Sequence, residues 1–141
     1  MKTLIILLLS NFLFSGNDWT SNLDNAKAKA QTENKLILLN FSGSDWCGPC
    51  IKLKKEVFEA ETFQKIALEK LVLVNADFPR LKKNQLEKTL VLNNESIAEK
   101  YNQEGKFPYT VLLNSKGEVI KSWEATNKIT FLNELVSLLP K

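Results

Sequence analysis

The chain has no histidine, and it has only two cysteines among its 141 residues. Histidine is the side chain that most often titrates near neutral pH, and it is the commonest metal ligand in proteins. A zinc site within one chain normally needs four ligands, which the two cysteines cannot supply alone. The sequence therefore predicts no metal site.

An excess of charge of one sign is also missing. The 19 lysines and arginines nearly balance the 16 aspartates and glutamates, which gives a formal net charge of +3. This charge is too small to indicate nucleic-acid binding, and no arginine-rich or aromatic-interleaved basic stretch is present. The hydrophobic share of 44% and the charged share of 25% are ordinary for a globular protein. Because no repeat or linker divides the chain, we expect a single domain. Its small net charge indicates that this domain does not bind nucleic acid.

The longest apolar run lies at the N-terminus, and it is too short to span a membrane comfortably. Lys2 precedes an apolar stretch over residues 4–14, and the small residues Ser15 and Gly16 follow it. This order is typical of an export signal, whereas a membrane span needs about 20 apolar residues. An uncleaved anchor or a buried first helix would produce a similar pattern.

From this pattern we expect residues 1–16 to be a cleaved signal peptide and residues 17–141 to form the exported domain. The protein would then lie in the periplasm or on the extracellular side of the inner membrane. It would keep no stable membrane span after cleavage.

The apolar pattern predicts an α/β protein. Two continuous apolar runs, at residues 36–41 and 71–74, indicate parallel strands that are covered on both faces. A turn at residues 114–117 separates two further strands, at 109–113 and 118–123, and predicts a hairpin. The remaining periodic stretches predict a short helix inside residues 17–35 and longer ones at residues 47–58, 62–69, 94–102 and 129–139. The resulting order, α-β-α-β-α-β-β-α, places helices on both faces of a small sheet.

The two cysteines lie together in the segment Trp46-Cys47-Gly48-Pro49-Cys50. A predicted strand precedes this segment, and Pro49 is a residue type that commonly opens a helix. A thiolate at a helix N-terminus is favoured by unpaired N–H groups and by the helix dipole. A second thiol one turn away can exchange disulfides with it. A purely structural disulfide is the alternative, although closing so short a loop restricts the unfolded chain little.

Together with two further features, this motif makes the chain closely resemble the thioredoxin superfamily, and more narrowly its exported bacterial members. One feature is Phe107-Pro108 before a predicted strand, where the family has a cis-proline that faces the cysteines. The other is the run from Lys100-Tyr101 to Gly117-Glu118-Val119, which is similar to the family's helix, cis-proline strand and hairpin. The resemblance covers roughly residues 22–139. It implies the thioredoxin fold, with a central mixed sheet of four to five strands and helices on both faces.

The resemblance also implies a thiol–disulfide oxidoreductase in which Cys47 is the nucleophile and Cys50 the resolving thiol, with Gly48 and Pro49 setting their geometry. Gly-Pro between the cysteines is similar to the reducing members of the family. We therefore expect a protein that reduces or exchanges disulfides in partner proteins. It would receive electrons from a membrane-bound donor and need no cofactor besides the dithiol. The alternatives are a non-catalytic binding module with a structural disulfide and a disulfide-forming oxidase.

Contacts with the substrate would come from Trp46, Phe107 and Pro108. Trp46 would cover the disulfide and contact partners, with core packing as the alternative. A cis bond would expose the backbone of Phe107 for pairing with a substrate strand, whereas a proline that only opens an edge strand is the plainer interpretation of Pro108. We also expect Cys50, one turn inside the helix, to be more buried than Cys47.

The chain departs from the family at the proton acceptor. Asn40 occupies a strand position where the family often has a buried aspartate that takes the proton of the second cysteine, and an amide cannot do so. Asp77, at the end of the second predicted strand, is a candidate for this role, with a solvated aspartate as the alternative. Residues 78–94 form an insertion relative to thioredoxin, and its basic residues either dock an acidic partner or are simply solvated. These basic residues include Arg80, Lys82 and Lys83.

Overall fold

The computed structural model describes residues 17–124 and 127–141. Within them, the strands are β1 Trp19–Thr20, β2 Leu36–Ser42, β3 Leu71–Asp77, β4 Tyr109–Leu113 and β5 Val119–Glu124. The α-helices are α1 Leu23–Glu33, α2 Gly48–Leu53, α3 Glu61–Lys70, α4 Lys88–Tyr101 and α5 Lys128–Leu138. A π-helical turn, Lys54–Phe58, continues α2, and a 3₁₀ turn, Lys82–Asn84, precedes α4. The predicted signal peptide, residues 1–16, lies outside the described residues.

The strands form one mixed sheet in the order β1-β3-β2-β4-β5. β2 pairs in parallel with β3 along its whole length, and β1 adds a short parallel strand on the far side of β3. β4 is antiparallel to β2, and β5 is antiparallel to β4, so the predicted hairpin is confirmed. This is the thioredoxin fold that the sequence predicts. None of the helices in the described part of the chain is long and apolar enough to cross a membrane.

Alternating residues of the inner strands supply two cores on opposite faces of the sheet. On one face, Leu39 of β2 shares a core with small residues of α1 such as Ala26. On the other face, Leu38 shares a core with aromatic residues that include Phe58 and Phe131. Helices therefore cover both faces, which explains why the apolar run of β2 shows no polar alternation.

Some element boundaries differ from the predicted ones. β1 has no counterpart among the predicted elements, because a strand of two residues carries no periodic signal. β3 continues beyond its apolar run to Asp77, since its last side chains meet polar groups at the end of the sheet. α4 begins at Lys88 and not near residue 94, because Leu90 and Val91 are half-buried and start its apolar face earlier than the surrounding polar residues indicate.

Phe58 is expected to contribute strongly to stability because it contacts three aromatic neighbours. Its ring centroid lies 5.0 Å from that of Trp19, 5.1 Å from that of Phe63 and 6.2 Å from that of Phe131. The residue is only 3% exposed. We expect Phe58→Ala to lower the free energy of unfolding by about 3–5 kcal/mol, as measured by urea unfolding of the oxidised protein. The control, Ile129→Ala, truncates a residue that is 72% exposed, and it should change stability by less than about 0.5 kcal/mol. Equal losses in the two variants would contradict this assignment.

Candidate active site

The two cysteines form a disulfide at the N-terminus of α2. Cys47 is the N-cap of this helix, and its Sγ accepts a hydrogen bond from the backbone N–H of Cys50 at 3.3 Å. Pro49 lies in the first turn, where its missing N–H removes no helical hydrogen bond. Cys47 is 5% exposed and Cys50 4%, so the expected greater burial of Cys50 is slight, because the disulfide holds both sulfurs in one turn. Elsewhere in the described ranges, no group of three or more His, Cys, Asp or Glu side chains is placed to hold a metal ion.

The indole of Trp46 packs against the loop before the disulfide and against two more distant segments. Its Nε1–H donates a hydrogen bond to the carbonyl oxygen of Phe78 at 2.7 Å. The Phe107 ring approaches it edge-on, with the ring centroids 5.4 Å apart. A Cβ atom on Gly43 would collide with the indole, so the close approach of the loop requires glycine there. Trp46 remains half-buried, which combines core packing with an aromatic surface beside the disulfide.

Pro108 lies next to the helix that carries the cysteines. The Phe107–Pro108 peptide bond is cis, as the resemblance implies. Pro108 is buried, and it lines a groove of about 450 Å³ together with Gly48, Pro49 and Leu53. The structure therefore brings Pro108 and the two residues between the cysteines to one groove, while the Phe107 ring turns towards Trp46.

The buried Asn40 belongs to a network of hydrogen bonds between uncharged side chains. It is 6% exposed, its side-chain amide donates to Asn75 Oδ1 at 2.9 Å, and its Oδ1 accepts from the Thr110 hydroxyl at 3.2 Å. These three residues lie opposite one another across β3, β2 and β4. Because all three side chains are neutral, this hydrogen-bond network contains no base that could take a proton from a thiol.

Asp77 ends β3 and holds the loop that leads to the cysteines. Its Oδ1 accepts a hydrogen bond from the backbone N–H of Ser44 at 2.9 Å, and its Oδ2 accepts one from the Ser44 hydroxyl at 2.5 Å. The residue is half-buried, and it lines a cavity of about 350 Å³ whose wall also includes Cys50. Asp77 is therefore an anchored carboxylate that shares a cavity with Cys50.

The insertion after β3 is attached to the active-site loop through Asp45, a residue that sequence reasoning missed. The Asp45 carboxylate accepts hydrogen bonds from the backbone N–H groups of Arg80 and Leu81, both at 2.9 Å, and from the Asn84 amide at 3.0 Å. The Arg80 N–H lowers the pKa of Asp45 most, burial opposes it, and the Asn84 and Leu81 bonds lower the pKa further. These three donors follow Asp45 by 35 to 39 residues in the sequence. The one sequence signal for Asp45 was an acidic side chain directly before the motif.

Among the basic residues of the insertion, Arg80 lies beside the cysteine motif. The Arg80 guanidinium carbon is 3.7 Å from the centroid of the Trp46 ring, which is a cation–π geometry. Lys82 and Lys83 lie in the 3₁₀ turn that follows and are exposed. Arg80 is exposed as well, so its guanidinium stacks on Trp46 at the surface, and all three side chains are compatible with the solvated alternative.

The fold and the disulfide at the start of α2 define a thioredoxin-like protein. A family model described as thioredoxin-like matches residues 18–115, and the chain therefore belongs to this family. The disulfide bond reductase DsbH of Chlamydia pneumoniae is 31% identical over 100 residues, which cover 71% of this chain and 58% of DsbH. The thioredoxin-related protein DsbJ of the same organism is 38% identical over 60 residues, which cover 43% of this chain and 17% of DsbJ.

A solved structure of a DsbH oxidoreductase has the same fold. It superimposes with a TM-score of 0.77 and covers 96% of this chain and 93% of its own. The two sequences are 22% identical, so this likeness concerns the fold alone. By length, the chain spans 58% of the curated DsbH that it matches.

The hydrogen bonds of the Asp45 carboxylate should weaken as the pH falls. Because the folded-state pKa of Asp45 lies below its ordinary value of 3.8, the stabilisation is fully present above that value and is lost as the pH falls through the folded-state pKa. We expect the amide resonances of Arg80 and Leu81 to titrate together in acid, with a midpoint below 3.8, in an NMR titration. Asp45→Asn should abolish this shared titration, and the control Asp24→Asn should leave it unchanged. A midpoint at or above the ordinary value would contradict the assignment.

Proposed function

We propose that the protein is an exported thiol–disulfide oxidoreductase that reduces or exchanges disulfides in partner proteins through Cys47 and Cys50. The observation that supports this most strongly is the Cys47–Cys50 disulfide at the start of α2, beside the groove that Pro108 lines. The similarity to the disulfide bond reductase DsbH supports the same chemistry. In this proposal residues 1–16 are the signal peptide, and residues 17–141 are the exported domain.

Cys47 is the nucleophile in the proposed reaction. The backbone N–H of Cys50 donates to its Sγ, and a hydrogen bond to the charged form of a group favours that form. The first turn of α2 adds the positive end of the helix dipole. Both effects favour a thiolate on Cys47 in the reduced protein. This thiolate attacks one sulfur of a partner disulfide, forms a mixed disulfide and releases the other sulfur as a thiolate.

Cys50 completes the proposed reaction. Its thiolate attacks Cys47 Sγ, the bond to the partner breaks, and the partner's second sulfur leaves as a thiolate. The product is the Cys47–Cys50 disulfide that the structure contains. Because the partner has gained two electrons, a dithiol donor must reduce the protein before the next cycle. We propose a membrane-bound donor, with the protein in the periplasm or on the extracellular side of the inner membrane.

Trp46, Phe107 and Pro108 form the proposed docking surface for the partner. The two aromatic rings pack edge to face, and aromatic side chains are enriched at protein–protein contacts. The groove along α2 leaves room for the segment that carries the partner's disulfide. A Cβ on Gly48 would meet no atom within 4 Å, so the approach to the disulfide is open on that side.

We expect the reduction potential of the Cys47–Cys50 pair to lie near that of thioredoxin, about −270 mV. The reason is the Gly48-Pro49 pair, which is similar to the reducing members of the family. Equilibration with defined dithiothreitol buffers, followed by thiol labelling, measures the potential. A value near about −120 mV would indicate an oxidase. A pair that does not equilibrate would favour a binding module with a structural disulfide.

Cys50→Ser is expected to trap partners covalently. Without the resolving thiol, the mixed disulfide on Cys47 cannot be released from within the protein. Incubation of the reduced variant with insulin should therefore give adducts on non-reducing electrophoresis that disappear with dithiothreitol. Cys47→Ser is the matched control, because it also removes the disulfide but leaves only the resolving thiol. Equal adduct formation by the two variants would contradict the assigned roles.

A further inference from the structure

We infer that Asp77 takes the proton that Cys50 loses when it resolves the mixed disulfide, through water in the cavity that the two residues share. This inference rests on the proposed function, because it concerns the second step of that reaction. The proton acceptor would then lie at the end of β3, because Asn40 cannot accept a thiol proton at the buried position on β2.

The cavity lies between the sheet and the helical segment that carries the cysteines. Asn40, Ser42 and Asn75 contribute from the strands, while Cys50 and Lys54 contribute from the helical side. Its volume is about 350 Å³, and a water molecule in the liquid occupies about 30 Å³. The cavity therefore has room for several waters, and its hydroxyl, amide and charged groups supply the polar partners that ordered water needs.

The other polar groups that line the cavity are unsuitable proton acceptors. The Asn40 side chain is neutral and already bonded to Asn75 and Thr110, and an amide does not take up a thiol proton near neutral pH. The ammonium of Lys54 has no lone pair to offer. Asp77 is the one carboxylate among the residues that line this cavity.

Asp77 is also held in a suitable position. Ser42 lies beside it in the strand register, and Ser44 donates one hydrogen bond to each of its carboxylate oxygens. A carboxylate has about four lone-pair sites, so these two bonds leave free sites on both oxygens for water. The carboxylate is thus fixed at the cavity wall while it still accepts hydrogen bonds from the interior.

Few charged groups face this carboxylate across the cavity. From the helical segment only Cys50 and Lys54 are titratable among the lining residues, while β1, β2 and the loop contribute Trp19, Asn40, Ser42 and Ser44. From α4, Asn94 donates a hydrogen bond to the Asp77 backbone carbonyl. The Lys54 ammonium therefore provides the one positive charge in the cavity wall.

In the proposed second step, Cys50 loses a proton and then resolves the mixed disulfide. The Cys50 S–H proton passes through cavity water to the Asp77 carboxylate, and the Cys50 thiolate attacks Cys47 Sγ. The Cys47–Cys50 bond forms as the bond from Cys47 to the partner breaks, and the partner leaves as a thiolate that solvent protonates. Asp77 then returns its proton to solvent. In this step the partner's sulfur is reduced and Cys50 is oxidised, while Cys47 remains at the disulfide level.

The test separates the two thiol reactions by stopped flow. Reduced protein is mixed with an equimolar chromogenic aromatic disulfide, which releases one coloured thiolate when Cys47 attacks and a second when Cys50 resolves the adduct. We expect Asp77→Asn to slow the second phase at least about 10-fold near neutral pH, since a general base typically contributes about 10²–10⁴-fold. The first phase should not change. The difference should shrink as the pH rises above the ordinary thiol pKa of about 8.5, where solvent removes the proton directly.

Two further variants complete the test. Asp77→Glu keeps a carboxylate in the cavity and should restore most of the second-phase rate. Glu59→Gln removes an exposed carboxylate that does not line the cavity, and it should match the wild-type protein. An unchanged second phase in Asp77→Asn, or a slowing of the same size at every pH, would overturn the inference. Failure of the proposed function has a different signature, since the wild-type protein would then not reduce insulin, whatever the rates of the variants.

Discussion

The pairing of β2 between β3 and β4 is the constraint on which the rest of the structure depends. A strand with neighbours on both sides has its backbone N–H and C=O groups paired in the sheet, so it can turn away only where its neighbours end. β2 reaches that point at Ser42, which is in register with Asp77, the last residue of β3. On the other side, β4 begins opposite Phe41. The chain leaves the sheet there, and the loop that follows brings Cys47 to the end of the sheet.

The same register decides which polar groups the active-site end of the sheet can hold. It places Asn40 between Asn75 and Thr110, and their side chains satisfy one another without net charge. A carboxylate at position 40 would lose most of its contact with bulk solvent, which is costly unless a partner compensates for it. The hydrogen-bonded side chains of Asn40 and Asn75 therefore line the cavity beneath α2 without a charge, and they provide no base. The proposed proton acceptor is therefore at the cavity wall, where the half-buried Asp77 accepts hydrogen bonds from the loop and also lines the cavity.

The features that could be predicted from the sequence are those that local patterns or the motif determine. β2, β3 and β4 follow from apolar runs, and the placement of the cysteines and of Pro108 follows from the resemblance. Long-range contacts leave no such pattern. Trp19 is in a strand only because it pairs with Leu73, and Asp45 is anchored only because the chain folds back at Arg80. The position of Asp77 at a strand end was predictable, whereas the cavity that it shares with Cys50 depends on packing between the helical segment and the sheet.

The loop before the disulfide is held at consecutive residues by different parts of the chain. Ser44 is bound by Asp77 at the end of β3, Asp45 binds N–H groups of the insertion, and Trp46 donates to the Phe78 carbonyl. A loop that is already ordered loses little further freedom when a partner docks, which reduces the entropic cost of binding. The insertion therefore supports the proposed nucleophile through its backbone, because it fixes the residues that lead directly into Cys47. Its backbone bonds to Asp45 and Trp46, together with the Arg80 guanidinium over the Trp46 ring, hold it beside the motif.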